Sequence, residues 1–180
     1  SIYYGGKVVK EIKLELEMSN DSSPISFQCI DAIEISLFIE KEGLSFYEKA
    51  AKNVLDPSVK GIFLRLAEEE REHIQVLQTK LKFLKPVIST KGRSESKVDF
   101  FIRDNLKGKI FSTSENKLEK KFANAEEALN YGIESEKRSI EMLNYLLSRE
   151  KKLDVKAIFA HLVSEEKKHL ALLEGLKTTK

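Results

Sequence analysis

The chain has 180 residues, 41% of them hydrophobic, and its 31 Lys and Arg nearly balance its 29 Asp and Glu to leave a net charge of +2. That length holds one globular domain with an extension, or at most two small ones, and the even charge excludes a nucleic-acid footprint as the main function. No apolar run approaches the roughly 20 residues of a membrane helix, and Cys29, the only cysteine, allows neither an intrachain disulfide nor a Cys-x-x-Cys metal site.

Residues 1–25 read as an extension and linker. Val8, Lys10, Ile12, Leu14, Leu16 and Met18 share one parity, and all but Lys10 are apolar. Charged residues fill most of the other positions from Glu11 to Glu17, which predicts a strand. Such a strand has nothing to pair with in the rest of the chain; a second copy could supply the edge, or the segment could be a partly engineered terminus. Asn20–Pro24 carries turn chemistry. The N-terminus shows no signal-peptide pattern, so a cytoplasmic location is expected, with Cys29 as a reduced, partly buried thiol.

From about residue 26 the apolar period becomes helical. The first predicted helix carries Ile33, Leu37, Glu40, Leu44, Tyr47 and Ala51 on one stripe and stops before Asp56-Pro57. Asp56 can cap the next helix with Pro57 in its first turn, where a missing N–H is harmless. The second helix carries Ile62, Leu66, Glu70, His73, Leu77 and Leu81 and ends near Lys85-Pro86. A locally basic crossover from Lys85 to Lys121 reads as a solvated loop, with a short helix around Glu95 to Leu106. The third helix carries Leu129, Ile133, Glu136, Ile140, Leu143 and Leu147. After a tight turn at Lys151–Asp154, the fourth carries Ile158, Leu162, Glu166, His169, Leu173 and Leu176.

Adding 96 to the stripe positions of the first two helices gives those of the last two, without slippage. One helical hairpin is therefore written twice. Short turns make antiparallel neighbours within each hairpin, and the long crossover returns the chain to start the second. The expected fold is all-α, a four-helix bundle over residues 26–178 with one long connection.

Glu40, Glu70, Glu136 and Glu166 occupy stripe positions where Leu or Ile would be expected, and so do His73 and His169. An ionised carboxylate in a core costs several kcal/mol unless something compensates it. Two divalent cations would neutralise four carboxylates, and two imidazoles would give each metal one nitrogen. The i, i+3 spacing of each Glu-x-x-His puts both donors on one helix face. A lone Glu-x-x-His in a glutamate-rich helix is usually a surface charge pair. Two copies in matched register, each 30 residues after a stripe glutamate, are the donor set of a dinuclear iron or manganese site. Glu42, Glu68, Glu69, Glu72, Glu134 and Glu165 lie off the stripe and are expected to face solvent. Glu134 is the main rival of Glu136, and the stripe and the offset both choose Glu136. Tyr47, seven residues after Glu40, is placed to hydrogen-bond a ligand carboxylate or to serve as a core tyrosine. His161 reads as a surface or boundary residue, and Phe38, Phe46, Phe63, Phe83 and Phe159 as packing.

At Ile39–Tyr47, Leu66–His73, Glu136–Ile140 and Ser164–His169 the chain resembles the rubrerythrin-like branch of the ferritin-like superfamily, over about residues 28–178. The resemblance implies a non-haem di-iron oxidoreductase that reduces hydrogen peroxide or dioxygen, or oxidises Fe(II), in oxidative-stress defence. It also implies two iron ions and a homodimer. Three departures stand out, one being that residues 1–18 have no counterpart in the family pattern. There are no cysteines for the iron–sulfur domain of rubrerythrins proper, so an external electron donor such as a separate rubredoxin-type protein is expected. Ser139 stands three residues after Glu136, where rubrerythrins have an additional glutamate that changes ligation with iron redox state. That favours, as competing readings, a metal-binding bundle with little turnover or a helical interaction module with structural metal. Manganese remains open, because ligand type does not separate it from iron.

Overall fold

The computed structural model describes residues 26–84, 97–111, 122 and 124–178. The strand expected before residue 19 and the linker after it lie outside the described residues, and among the described residues there is no strand. Helices α1 (Cys29–Asn53) and α2 (Pro57–Leu84) form the first hairpin. A short α3 (Lys97–Phe101) runs on as a π-helical stretch, Ile102–Leu106. Helices α4 (Ala125–Arg149) and α5 (Leu153–Thr178) form the second hairpin. The repeat extends to the helix ends. α1 and α4 begin and end 96 residues apart, and α2 and α5 begin 96 residues apart.

Local chemistry sets these boundaries. Asp31 closes a capping box on α1 by accepting from the Gln28 N–H at 2.8 Å. Asp56 Oδ1 accepts from the Ser58 and Val59 N–H groups at 3.0 Å each, capping α2 behind Pro57. Asn124 Oδ1 accepts from the Glu127 N–H at 2.8 Å and starts α4. Between α4 and α5, the buried Glu150 accepts from the Lys151 and Lys152 N–H groups at 2.7 and 2.9 Å, and from the Phe27 N–H at 3.0 Å. One side chain thus shapes the turn of the second hairpin and ties down the start of the first.

The apolar stripes meet in one main core containing Ile35, Ile39, Phe46, Phe63, Leu66, Leu129, Leu143, Phe159 and Leu173, with a smaller cluster of Ile33, Leu37, Ile74 and Leu77 beside it. Phe46, Phe63 and Phe159 pack as expected, but Phe83 is 76% exposed. It sits in the last turn of α2, between the packed Leu81 and Leu84, and points off the stripe they continue.

The described part of the crossover is not a solvated loop. Val98, Phe101, Leu106, Ile110 and Phe111 are buried. Gly108, at a φ of 70°, turns the chain after the π-helical stretch so that Ile110 and Phe111 return to the bundle. Arg138 on α4 fixes them there, its Nε donating to the Ile110 carbonyl at 2.8 Å. The Phe111 ring then packs 5.9 Å from that of Phe46 and 6.4 Å from that of Tyr47. Basic composition concealed this packing because the Lys and Arg side chains lie between the apolar positions.

Candidate metal centre

Midway along the bundle the six stripe donors converge. Glu40, Glu70, Glu136, Glu166 and His169 are each no more than 2% exposed. The side chain of His73 is 24% exposed. They form two overlapping groups. In the first, one donor atom each from Glu70, Glu136, Glu166 and His169 lie within 4.8 Å of one another; in the second, the same holds for Glu40, Glu70 and His73. Glu70 belongs to both. His169 Nδ1 is 3.4 Å from Glu70 Oε1, 3.6 Å from Glu136 Oε1 and 3.4 Å from Glu166 Oε2. His73 Nδ1 is 3.4 Å from Glu40 Oε2 and 3.8 Å from Glu70 Oε2. The two imidazoles stack with centroids 5.8 Å apart. Glu134, the rival of Glu136, is half-buried beside Arg138 and joins neither group.

Four of the off-stripe glutamates, Glu42, Glu69, Glu134 and Glu165, are half-buried rather than solvent-facing as expected, and two of them meet the imidazoles. His73 Nε2 faces Glu165 Oε2 at 3.6 Å, and His169 Nε2 faces Glu69 Oε2 at 3.5 Å. The pairing crosses between repeats: each histidine of one hairpin meets the glutamate that precedes the Glu-x-x-His of the other. A carboxylate on the outer nitrogen of an imidazole fixes the ring and raises its basicity toward a metal. The offset of 96 does carry Glu69 onto Glu165, and that repeat was the available signal. Helical periodicity alone could not show it, because both residues are half-buried only by the opposite hairpin. Glu42 is also half-buried, near Lys107 and Gly108 of the crossover, while Glu68 and Glu72 are exposed.

Three further residues hold the carboxylates. The Tyr47 hydroxyl, fully buried among Phe46, Phe63 and Phe111, donates to Glu136 Oε1. The Ser139 hydroxyl donates to Glu166 Oε1 at 2.9 Å. Gly43 lies at the equivalent place of the first hairpin, and a Cβ there would stand 2.8 Å from Glu70 Oε1. Position 43 must therefore be glycine for Glu70 to keep its place.

The electrostatics follow from crowding acids in a dry core. Burial, followed by neighbouring carboxylates, pushes the pKa of Glu40 and Glu136 well above the ordinary carboxylate value. Burial opposes ionisation of Glu70 too, but the facing Glu40, His169 and His73 side chains outweigh it and bring its pKa down to about 2. Burial likewise disfavours the charged form of His169. The carboxylates of Glu136, Glu166 and Glu70 overcome this and hold the imidazole pKa far above its usual value. Burial and the charge on Glu136 raise the Tyr47 hydroxyl, so it stays a donor.

Whether these residues fit metal ions can be judged from their unused atoms. Among the described residues, Glu40 Oε2, Glu42 Oε2, Glu70 Oε2, Glu136 Oε2, Glu166 Oε2, His73 Nδ1 and both His169 ring nitrogens are buried without a hydrogen-bond partner. Buried polar atoms are rarely left so. Apart from Glu42 Oε2, which lies by the crossover, they cluster on six residues, and all but His169 Nε2, which faces Glu69, fall among the two donor groups; this makes the set compatible with metal binding.

A family model described as Rubrerythrin matches residues 31–177, most of the chain and all six donors. The chain belongs to the rubrerythrin family. No curated protein and no solved structure matched it. Rubrerythrin domains are ferritin-like di-iron domains, and the all-α bundle with its buried carboxylate and histidine cluster agrees with that membership. Among the described residues of this rubrerythrin-family chain, no helix is long and apolar enough to cross a membrane.

Proposed function

We propose that the chain is a non-haem di-iron oxidoreductase of rubrerythrin type, reducing hydrogen peroxide or dioxygen, or oxidising Fe(II), in a cytoplasmic oxidative-stress role. The observation that carries this reading is the cluster of buried, unpartnered donor atoms on Glu40, Glu70, His73, Glu136, Glu166 and His169. One ion would be held by Glu40, Glu70 and His73, and the other by Glu70, Glu136, Glu166 and His169, with Glu70 shared. When bound, two iron ions supply two electrons, one each, which is what reduction of a peroxide O–O bond requires. Manganese suits the same oxygen and nitrogen donors.

The protein's own groups position and insulate this chemistry. Tyr47 fixes Glu136, and Ser139 fixes Glu166. Glu69 and Glu165 orient the two imidazoles. Phe46, Phe63 and Phe111 exclude water on the Tyr47 side. One cysteine cannot make a four-cysteine iron site, so electrons come from outside these residues, as from a rubredoxin-type protein.

A second reading, metal binding with little turnover, is favoured by one feature. Ser139 takes the place of the additional glutamate of rubrerythrins and is already hydrogen-bonded to Glu166. An anaerobic Fe(II) titration followed by a pulse of peroxide or dioxygen, watched by near-UV absorbance, separates the two. The oxidoreductase reading expects two Fe(II) per chain and a fast ferric band in the wild type, with both lost in Glu70→Ala. Two tightly bound Fe(II) with no fast band would leave the second reading. No stoichiometric binding would end both.

A further inference from the structure

The internal repeat supplies its own control for how the centre is reached. A cleft of about 260 Å³ opens between α1, α2 and α5, lined by the buried Ser36 and Glu40, by the half-buried His73 and Glu165, and by the exposed Lys80 and His161. Shifting its lining by 96 positions gives the equivalent place on the opposite face, beside His169. There Ser36 becomes Gly132, Val76 becomes Leu172, Lys80 becomes Leu176 and His161 becomes Arg65. That face is filled. A Cβ on Gly132 would already stand 3.1 Å from Leu173 Cδ1, so Leu173 presses on the α4 backbone. Leu172 and Leu176 pack onto the core, and Leu129 and Leu173 are buried.

The two mouths also differ in charge chemistry. On the closed face, Glu69 is paired with Arg65, Nε to Oε1, at 2.8 Å. A guanidinium is always charged and cannot ligate a metal. On the open face its counterpart is His161, one helical turn before Glu165 on α5, and an imidazole can take a divalent cation. Histidine and glutamate four residues apart share one helix face. Glu165 also accepts from Lys168 at 2.7 and 2.9 Å; that lysine is 64% exposed and Arg65 is 60% exposed, so both are surface pairs worth little, and the mouths differ in whether a side chain there can ligate a cation. Just inside, His73 faces both ways: its Nε2 lies toward Glu165 and its Nδ1 toward Glu40.

We propose that this cleft is the loading port of the centre, where His161 and Glu165 take a divalent cation at the mouth and His73 passes it to Glu40 and Glu70. The inference rests on the two-metal reading of the centre. Lys80 at the rim opposes cations, so the carboxylate and imidazole donors, rather than overall charge, do the attracting.

The test is stopped-flow mixing of metal-free protein with Co(II), followed by the visible absorbance of the bound ion. Wild type takes up two Co(II) per chain. His161→Ala, at an exposed position, loads about tenfold more slowly, the lower end of the about 10- to 100-fold that loss of one side chain supporting a metal costs. Ala157→Phe, which puts a ring into the cleft from an exposed position, is also slowed. Arg65→Ala and Gly61→Phe, at the equivalent places of the closed face, load at the wild-type rate; a Cβ on Gly61 meets nothing within 4 Å. Wild-type loading rates in both His161→Ala and Ala157→Phe would overturn the port, as would equal slowing in the closed-face pair. Wild type that binds no Co(II) would overturn the metal centre itself, a result distinct from either.

Discussion

His73 and His169 hold equivalent places in the repeat, yet their side chains are 24% and 1% exposed. Each turns Nδ1 to the central carboxylates and Nε2 to a glutamate of the other hairpin. What differs is the second layer. Around His169 the chain places Gly132, Leu172, Leu173 and Leu176; around His73 it places Ser36, Val76, Leu77 and Lys80. The duplicated hairpin kept the donors and varied the packing over them. The sealed half is therefore expected to be tied to the stability of the bundle, and the open half to exchange with solvent.

The largest expected effect is removal of metal. Binding at a thousand times the dissociation constant stabilises a fold by about 4 kcal/mol, which for a domain of this size is a shift of about 10 °C in Tm. Chelation should lose that much, and the loss should grow with pH. Glu40 and Glu136 have folded-state pKa values above the 4.5 of a free carboxylate, so above pH 4.5 the folded protein holds more protons than the unfolded one. His169 acts in the same direction: its contribution is complete below 6.5 and is lost as pH rises toward its higher folded-state pKa. Glu70 contributes above 4.5 and loses that contribution only as pH falls toward about 2. Metal-free protein should therefore melt at a lower temperature at about pH 8 than at about pH 5. Metal-loaded protein should show the reverse, because protons and cations compete for the same atoms. Calorimetry at the two pH values checks both signs.

Next in size is the contrast between the histidines. In metal-free protein, His169→Ala leaves a cavity in the core and should cost on the order of 2–3 kcal/mol. His73→Ala, beside the cleft, should cost less than about 1 kcal/mol. Urea titration measures both, and equal costs would break the distinction between a sealed and an open half. A smaller effect is expected for Tyr47→Phe, which removes only the donor to Glu136. It should weaken metal binding about 10- to 100-fold, the usual range for a partner of a ligand. Because Tyr47 sits on the His169 side, its ring 6.5 Å from that imidazole, the weakening should fall on one of the two ions in a calorimetric titration.

Much of this was legible in the sequence. The four long helices showed because each stripe keeps its period, and the duplication because one offset fits both hairpins. Glu40, Glu70, His73, Glu136, Glu166 and His169 stood out as polar residues at apolar positions, and the bundle brings them together. What periodicity could not show lies between helices. Glu69 and Glu165 are off their own stripes and become half-buried only where the other hairpin crosses. Ile110 and Phe111 pack because Arg138 and Gly108 bring them back, a tertiary matter with no local period. The difference between the two faces of the centre depends on which side chain of a second helix fills each gap, as Leu173 does against Gly132.

The most direct test of the central claim is a crystal structure of the Fe(II)-loaded protein with anomalous diffraction at the iron edge. Two anomalous peaks are expected, one within ligand distance of Glu40, Glu70 and His73 and one of Glu70, Glu136, Glu166 and His169, with Glu70 near both. No peak among these residues, or iron bound elsewhere on the chain, would contradict that claim.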